Sequence, residues 1–539
     1  MRSRTHPGRL VLLGALLLAR PAGLRAEEGS GAAAASVRLP SGGTARYEYH
    51  FNRNALRASH QAGDALIALT SSGNLLRFDL GTRRLTREWF GPSRVVCLGR
   101  GAGDAVLAGF EDGRVCRVDP ATLERTEVAR LPGKPQWIGF AAGDERGPGG
   151  LVAVYERPRW VEQDGQRWRQ PCSIVRDLAS GREVAADGLA TAFLLDSRRR
   201  LWLGADRGEW GGWCSCVDLG AGTLRAVPGI RRIIKELGID QGEVWDGVYG
   251  FIELPDGPVW AYGGVLHMGF GDAFLRRVDA GKAEELYRSE GQPPAEDFGP
   301  NGEVPRTLRP WLPITHILPD GGDALLVFTV DAIFRTDRKL SAWTRVRDLR
   351  FRSHWGRPDA VGVYPALTTV HRLEGAGGGL LCATALDGYV LVRGEDEVRH
   401  TLAGQLGSDD IVRADVVDGR TLFREWDGQL PPWRYEGGRW ELAPPPEVVE
   451  ADPFGGAGLV FHRPSRSCVD GLGRPWVALR GLRTIDARAG WIQDFEALPM
   501  LGAETRVLGV YPDRATPGGI IAMLEGRGVV FVRVGKDQR

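Results

Sequence analysis

Indole and imidazole groups are the side chains of this chain best suited to chemistry, and they are unevenly spread. Residues 202–270 hold Trp202, Trp210, Trp213, Trp245, Tyr249, Trp260, Tyr262 and His267. Two later stretches add Trp311 with His316, and His354 with Trp355, the latter pair standing between Arg352 and Arg357. Trp210, Trp213 and Trp245 lie among glycines and acids, as in Gly208-Glu209-Trp210-Gly211-Gly212-Trp213. That setting points to loops and strand ends rather than the middle of a core strand. An indole beside hydrogen-bonding groups offers a flat apolar face to a sugar ring or to a partner surface. Trp210, Trp213, Trp245, Trp311, His354 and Trp355 are therefore the candidate ligand-binding residues. Trp202, Trp260 and Trp476 recur in similar surroundings and are expected to fill space between packed sheets. His316, at a strand start, is expected to be a satisfied core or channel residue.

No linear signature of catalysis accompanies these groups. The chain has no Gly-x-Ser-x-Gly elbow, His-Glu-x-x-His helix, phosphate loop or EF-hand. The sequence therefore assigns no catalytic residue, no cofactor and no metal site. Carboxylates are plentiful, but a glycosidase pair is defined by separation in space, which spacing along the chain does not give. Of seven cysteines, Cys97 and Cys116 fall in neighbouring predicted strands and are the expected disulfide. Cys214 and Cys216 flank Ser215 in an extended stretch, so both face one side. No Cys or His at ligand spacing joins them, and buried thiols are expected there.

The elements that must position these groups are short strands in a repeat. Gly63-Asp64-Ala65 opens an apolar run, Ser71-Ser72-Gly73-Asn74 turns, and a second run ends at Asp79. Gly103-Asp104-Ala105, Glu111-Asp112-Gly113 and Asp119 repeat that grammar forty residues on, and Gly322-Asp323-Ala324 begins a third copy. An aspartate followed by a small-residue turn recurs at Asp79, Asp119, Asp177, Asp218, Asp279, Asp337 and Asp486, with weaker equivalents near Gly394, Gly437 and Gly535. A period of about 40 to 50 residues built of short strands is the signature of radially stacked four-stranded sheets.

A second recurring element is an Asp or Gly turn running into a Trp-bearing strand: Asp196 to Trp202, Asp256 to Trp260, and Asp470 to Trp476. It resembles the two-component-regulator propeller repeats, and Asp177-Leu178-Ala179-Ser180-Gly181 resembles the quinoprotein-type propeller repeats. The resemblance implies an all-β chain folded as a single large β-propeller of four-stranded antiparallel blades, about eight and between seven and ten. Residues 37–51 are expected to form a strand that completes the last blade at 505–535 and closes the ring. Ile230–Leu237 is expected to form two helical turns. Inserts at 284–313 and 444–466 break the period, and long loops of this kind tend to carry function.

The N-terminus reads as an export signal. Arg2, Arg4 and Arg9 precede the apolar run Leu10–Ala19, and small residues lead to a cut after Ala26. The division expected is a signal peptide over 1–26, a linker over 27–36 and the propeller over 37–539, in a secreted or periplasmic protein. Cleavage would remove five arginines and no acid, taking the formal charge from +1 to −4. That balance gives no electrostatic reason for nucleic acid as a partner. The function expected is non-enzymatic binding of a protein or carbohydrate ligand. The alternative is an enzyme on the same scaffold, a polysaccharide lyase or hydrolase or a quinoprotein-type dehydrogenase.

Overall fold

The computed structural model describes residues 33–38 and 44–535, apart from 104, 144–148, 164, 187, 209–210, 235–238, 268–269, 290–306, 350, 352–365, 374–377, 395, 418, 426–430, 444–463, 480, 487–490 and 495–504. Every regular element among them is a β-strand. Nine antiparallel sheets have four strands in chain order, one has five, and one is an isolated hairpin. This is a β-propeller repeat architecture of antiparallel, mostly four-stranded sheets.

Burial within each sheet follows its radial position. Second strands are the most deeply buried, wholly so in Ala65–Thr70, Val106–Phe110 and Gly519–Leu524, where a neighbouring sheet covers each face. Fourth strands lie on the outside and are mostly exposed, as in Arg84–Trp89 and Arg125–Arg130. Their Arg and Glu side chains discourage pairing of that free edge with another chain. All ten turn positions singled out in the sequence fall at the end of a sheet's third strand, from Leu75–Asp79 to Gly528–Val534. There the aspartate caps the turn: Asp79 accepts from the Thr82 amide at 2.7 Å, and Asp119 from the Ala121 amide at 2.7 Å.

Seven sheets, at 56–89, 95–130, 134–185, 192–227, 247–288, 314–348 and 367–400, pack one on the next. The seventh returns to the first, where strand Leu367–Leu373 lies against Leu56–Ala62. The remaining three sheets pack as a group, with the chain-end sheet between those at 411–442 and 467–494. In that middle sheet Thr44–His50 pairs antiparallel with Gly528–Val534, the pairing expected of residues 37–51. It joins the two ends of the chain, while the seven-sheet circuit closes elsewhere. One apolar cluster links the two groups, running from Leu66, Phe78 and Tyr389 to Tyr49, Trp476 and Val530.

Three local expectations need correction. Ala33–Ser36, placed in the linker by its small residues, belongs to the strand Ala33–Arg38, which pairs with Thr44–His50, whose edge would otherwise be open. Ile230–Ile234 pairs with Ile239–Val244 instead of forming a helix, as its β-branched isoleucines favour. Cys97 and Cys116 are not bonded, and all seven cysteines are free thiols. Strand Val106–Phe110 runs between those two, with Gly109 opposite Cys97 and Ala108 opposite Cys116. Two strand spacings are about 10 Å, beyond disulfide reach. Cys214 and Cys216 are buried in one cluster with Trp202, as their spacing implied. Of the long inserts, 284–288 belongs to the fourth strand Lys282–Arg288, while 290–306 and 444–463 lie outside the described residues.

Candidate functional site

Trp213, Trp245 and Trp311 are packing residues in separate places. Trp213 lies against the core between the sheets at 134–185 and 192–227. Trp245 is buried in the next core along, where its Nε1 donates to the Val227 carbonyl at 2.9 Å. Arg276, itself 1% exposed, stacks over the Trp245 ring at 4.7 Å. Trp311 is buried against Gly271 of the strand Phe270–Asp279. The glycines that suggested loops serve close backbone contact instead. The Gly212 amide donates to the Trp245 carbonyl at 2.7 Å, and a Cβ on Gly212 would meet the Asp246 carbonyl at 2.5 Å. Trp210, His354 and Trp355 lie outside the described residues. Trp202, Trp260 and Trp476 are all buried, as expected.

The outstanding surface feature lies in the third sheet. Its middle strands, Gly150–Gln163 and Gln166–Asp177, are far longer than their neighbours. The first strand of the sheet pairs only as far as Glu156, and the fourth only as far as Ile174. Seven residue pairs, from Arg157 with Cys172 to Gln163 with Gln166, therefore continue as a two-stranded ribbon. At about 3.4 Å per residue the ribbon is roughly 24 Å long. Gly165, at φ 74°, occupies the two-residue connection at its tip, where a residue with a Cβ would be strained. Its base is anchored by Tyr155, whose hydroxyl donates to Glu183 at 2.7 Å, and by the Arg157–Glu183 pair at 3.1 Å.

The ribbon's chemistry follows from its register. Trp160 lies directly opposite Arg169, and Glu162 opposite Arg167, so these four share one face. Trp160 is 57% exposed, with the Arg167 and Arg169 guanidiniums 4.7 and 5.8 Å from its ring centre. Cation–π contact of this kind is worth about 0.5–1 kcal/mol at an exposed site and leaves the charge itself unneutralised. Neither Arg167 nor Arg169 has a carboxylate partner among the described residues. Sequence reasoning missed this surface. The signal was there in Asp164-Gly165, a hairpin dipeptide flanked by alternating Arg and Trp.

Two other sites are less open. Where the circuit closes, the Ser59 hydroxyl contacts His371 Nε2 at 2.8 Å and the Thr369 hydroxyl, while His316 Nε2 lies 3.1 Å from the Thr368 carbonyl. Burial pushes the His316 and His371 imidazoles down to about 4, so they are neutral hydrogen-bonding groups at physiological pH. No carboxylate orients His371 among the described residues, which separates this pair from a nucleophile–base–acid triad. A cavity of about 350 Å³ lies between the fourth and fifth sheets, at the end of the blades opposite the ribbon tip. Its cations are largely paired internally, Arg200 with Asp196 and Asp279, and Arg277 with Glu284. Among the described residues no group of His, Cys, Asp and Glu is arranged to hold a metal ion, and no helix is long and apolar enough to cross a membrane.

No protein-family model and no curated protein matches this chain. Among solved structures it is similar to the computationally designed Ika8 protein, with 15% identity over 64% of this chain and 98% of that one, at a TM-score of 0.37. It is also similar to the β-propeller domain of Cps50 (Swd1) from Myceliophteria thermophila, with 12% identity over 59% and 88% of the two chains, at 0.34. A third is U3-55K, with 10% identity over 63% and 91%, at 0.40.

Proposed function

We propose that this protein is an exported, non-enzymatic interaction scaffold that binds a protein or glycan partner through the end of the propeller carrying the ribbon. The observation that supports this reading most is the ribbon itself. It extends well past the sheet that anchors it and presents an open indole with two guanidiniums that have no carboxylate partner among the described residues. A fold needs none of these outside its core, and exposed aromatic and arginine side chains are the usual anchors of recognition surfaces. Export rests on the N-terminal signal, and the mature chain is proposed to begin near Glu27.

The test uses exported material whose N-terminus is read by mass spectrometry. It is applied to arrays of glycans and extracellular proteins beside a variant in which 157–172 is replaced by a short turn. The expected result is a retained ligand bound by the full chain and lost by the variant, with both melting at closely similar temperatures. Equal binding by the two chains contradicts the reading, as does turnover of an arrayed glycan.

A further inference from the structure

We propose that the free edge of the ribbon strand Gln166–Asp177 takes up an extended acidic segment of a partner protein as an additional β-strand. This rests on the interaction reading above and specifies its partner and binding mode. Backbone register carries the inference. Residues in an antiparallel pair alternate between those that bond to the opposite strand and those whose N–H and C=O point outward. Within the sheet the Ser173 amide points outward, donating to the Gly188 carbonyl at 3.0 Å. Alternation then turns Cys172 inward and Pro171, Arg169 and Arg167 outward. Pro158 pairs with Pro171, which fits, since neither has an N–H to give the opposite strand.

The outward groups of Arg167 and Arg169 meet no further strand among the described residues, because the fourth strand, Glu183–Ala185, pairs no farther than Ile174. The edge therefore presents an open row of main-chain donors and acceptors, the template for strand addition. The side chains at the same two positions supply the selectivity. In an added strand, alternate residues lie beside Arg169 and Arg167, where carboxylates would pair with guanidiniums that stack on Trp160 and have no carboxylate partner among the described residues. Beyond the Arg157–Glu183 pair, Arg159, Arg167 and Arg169 of the ribbon outnumber Glu162 and Asp164. Main-chain pairing distinguishes a polypeptide from an acidic polysaccharide, which could meet the same charges but not the same backbone.

The probe is a fluorescent peptide of alternating glutamate and threonine, titrated against the full chain by anisotropy. Three companions complete the test: the same peptide N-methylated along one edge, a polygalacturonate chain, and the variant Arg167→Glu/Arg169→Glu. The alternating peptide is expected to bind. N-methylation should weaken it at least about tenfold, the equivalent of one lost main-chain hydrogen bond. The double variant should lose binding while keeping the melting temperature of the parent. Equal affinity for the N-methylated peptide, or undiminished binding by the variant, overturns strand addition. Binding of polygalacturonate in place of the peptide also overturns it, but leaves the interaction reading standing. If the ribbon-replaced chain still captures every ligand that the parent captures, the interaction reading falls as well.

Discussion

Asp196 and Asp470 do the same work in two distant repeats. Each accepts, on one oxygen, the amides two and four residues ahead, those of Arg198 and Arg200 or of Leu472 and Arg474. On the other oxygen each accepts an arginine Nε, from Arg200 at 2.7 Å or Arg474 at 2.8 Å, and a tryptophan Nε1, from Trp202 or Trp476, at 2.9 Å. One carboxylate thus fixes a turn, an arginine and the indole that plugs the gap between sheets. Truncating Trp202 or Trp476 to alanine should destabilise the fold by roughly 3–5 kcal/mol. Asp196→Ala, which leaves the indole N–H buried and unpaired, should cost about 1–3 kcal/mol. Denaturant unfolding checks both, and losses within ordinary surface-mutation scatter would remove these residues from the core account. These plugs were legible in the sequence because spacing and chemistry repeat together. Trp213, Trp245 and Trp311 were not, because a glycine beside an indole marks either an open loop or a close backbone contact, and the sequence alone does not separate the two.

Strands and their connections show the same division between what spacing carries and what it does not. All ten third-strand ends were readable, since each needs a turn residue at a fixed place. The order in which sheets meet was not, because it depends on buried contacts between remote segments. The junction of the circuit with the three-sheet group is one such place. The Asn52 amide donates to Asp409 at 2.7 Å, Ser71 donates to its other oxygen, and Asn52 Nδ2 donates to the Gly407 carbonyl at 2.7 Å. Arg527 ties the same region together, its guanidinium donating to the Gly91 and Pro92 carbonyls at 2.7 and 2.9 Å. Burial pushes the Asp409 carboxyl up to about 7, against the opposing effect of the Ser71 and Asn52 bonds, with Asp410 adding to the rise and Arg94 opposing it. Between the ordinary carboxylate range near 4 and about 7, the folded chain holds a proton that the unfolded chain has released. Stability from this group is therefore full at low pH and lost as pH rises to about 7. The buried His316 and His371 act in the opposite sense, since the folded chain resists protonating them as pH falls from about 6.5. Asp409→Asn isolates the first effect. Relative to wild type, its melting temperature should gain steadily from pH 4 to pH 7 and then level off. A constant difference across that range would show that Asp409 is charged throughout in the folded chain.

The arrangement of sheets is what gives the ribbon its setting. Seven sheets close on one another over 56–400, and the two ends of the chain meet in a separate sheet. Residues 45–50 pair with 529–534 of the last sheet, the pairing the sequence indicated for residues 37–51, but that pairing does not close the circuit. What spacing along the chain could not show is that closure of the circuit falls instead between Leu56–Ala62 and Leu367–Leu373. There Ser59 meets Thr369 and His371 across more than three hundred residues of chain. A ring running evenly through all ten sheets would put the chain-end sheet beside the strand at 56–62 and carry residue 369 far from residue 59. A double variant, Ser59→Cys/Thr369→Cys, separates the two arrangements. Mild oxidation of the folded protein followed by peptide mapping should recover a cross-link between positions 59 and 369, in the monomer and at high yield. Peptide maps in which both new thiols stay free, on a protein that melts like the parent, would contradict closure of the circuit between these two strands.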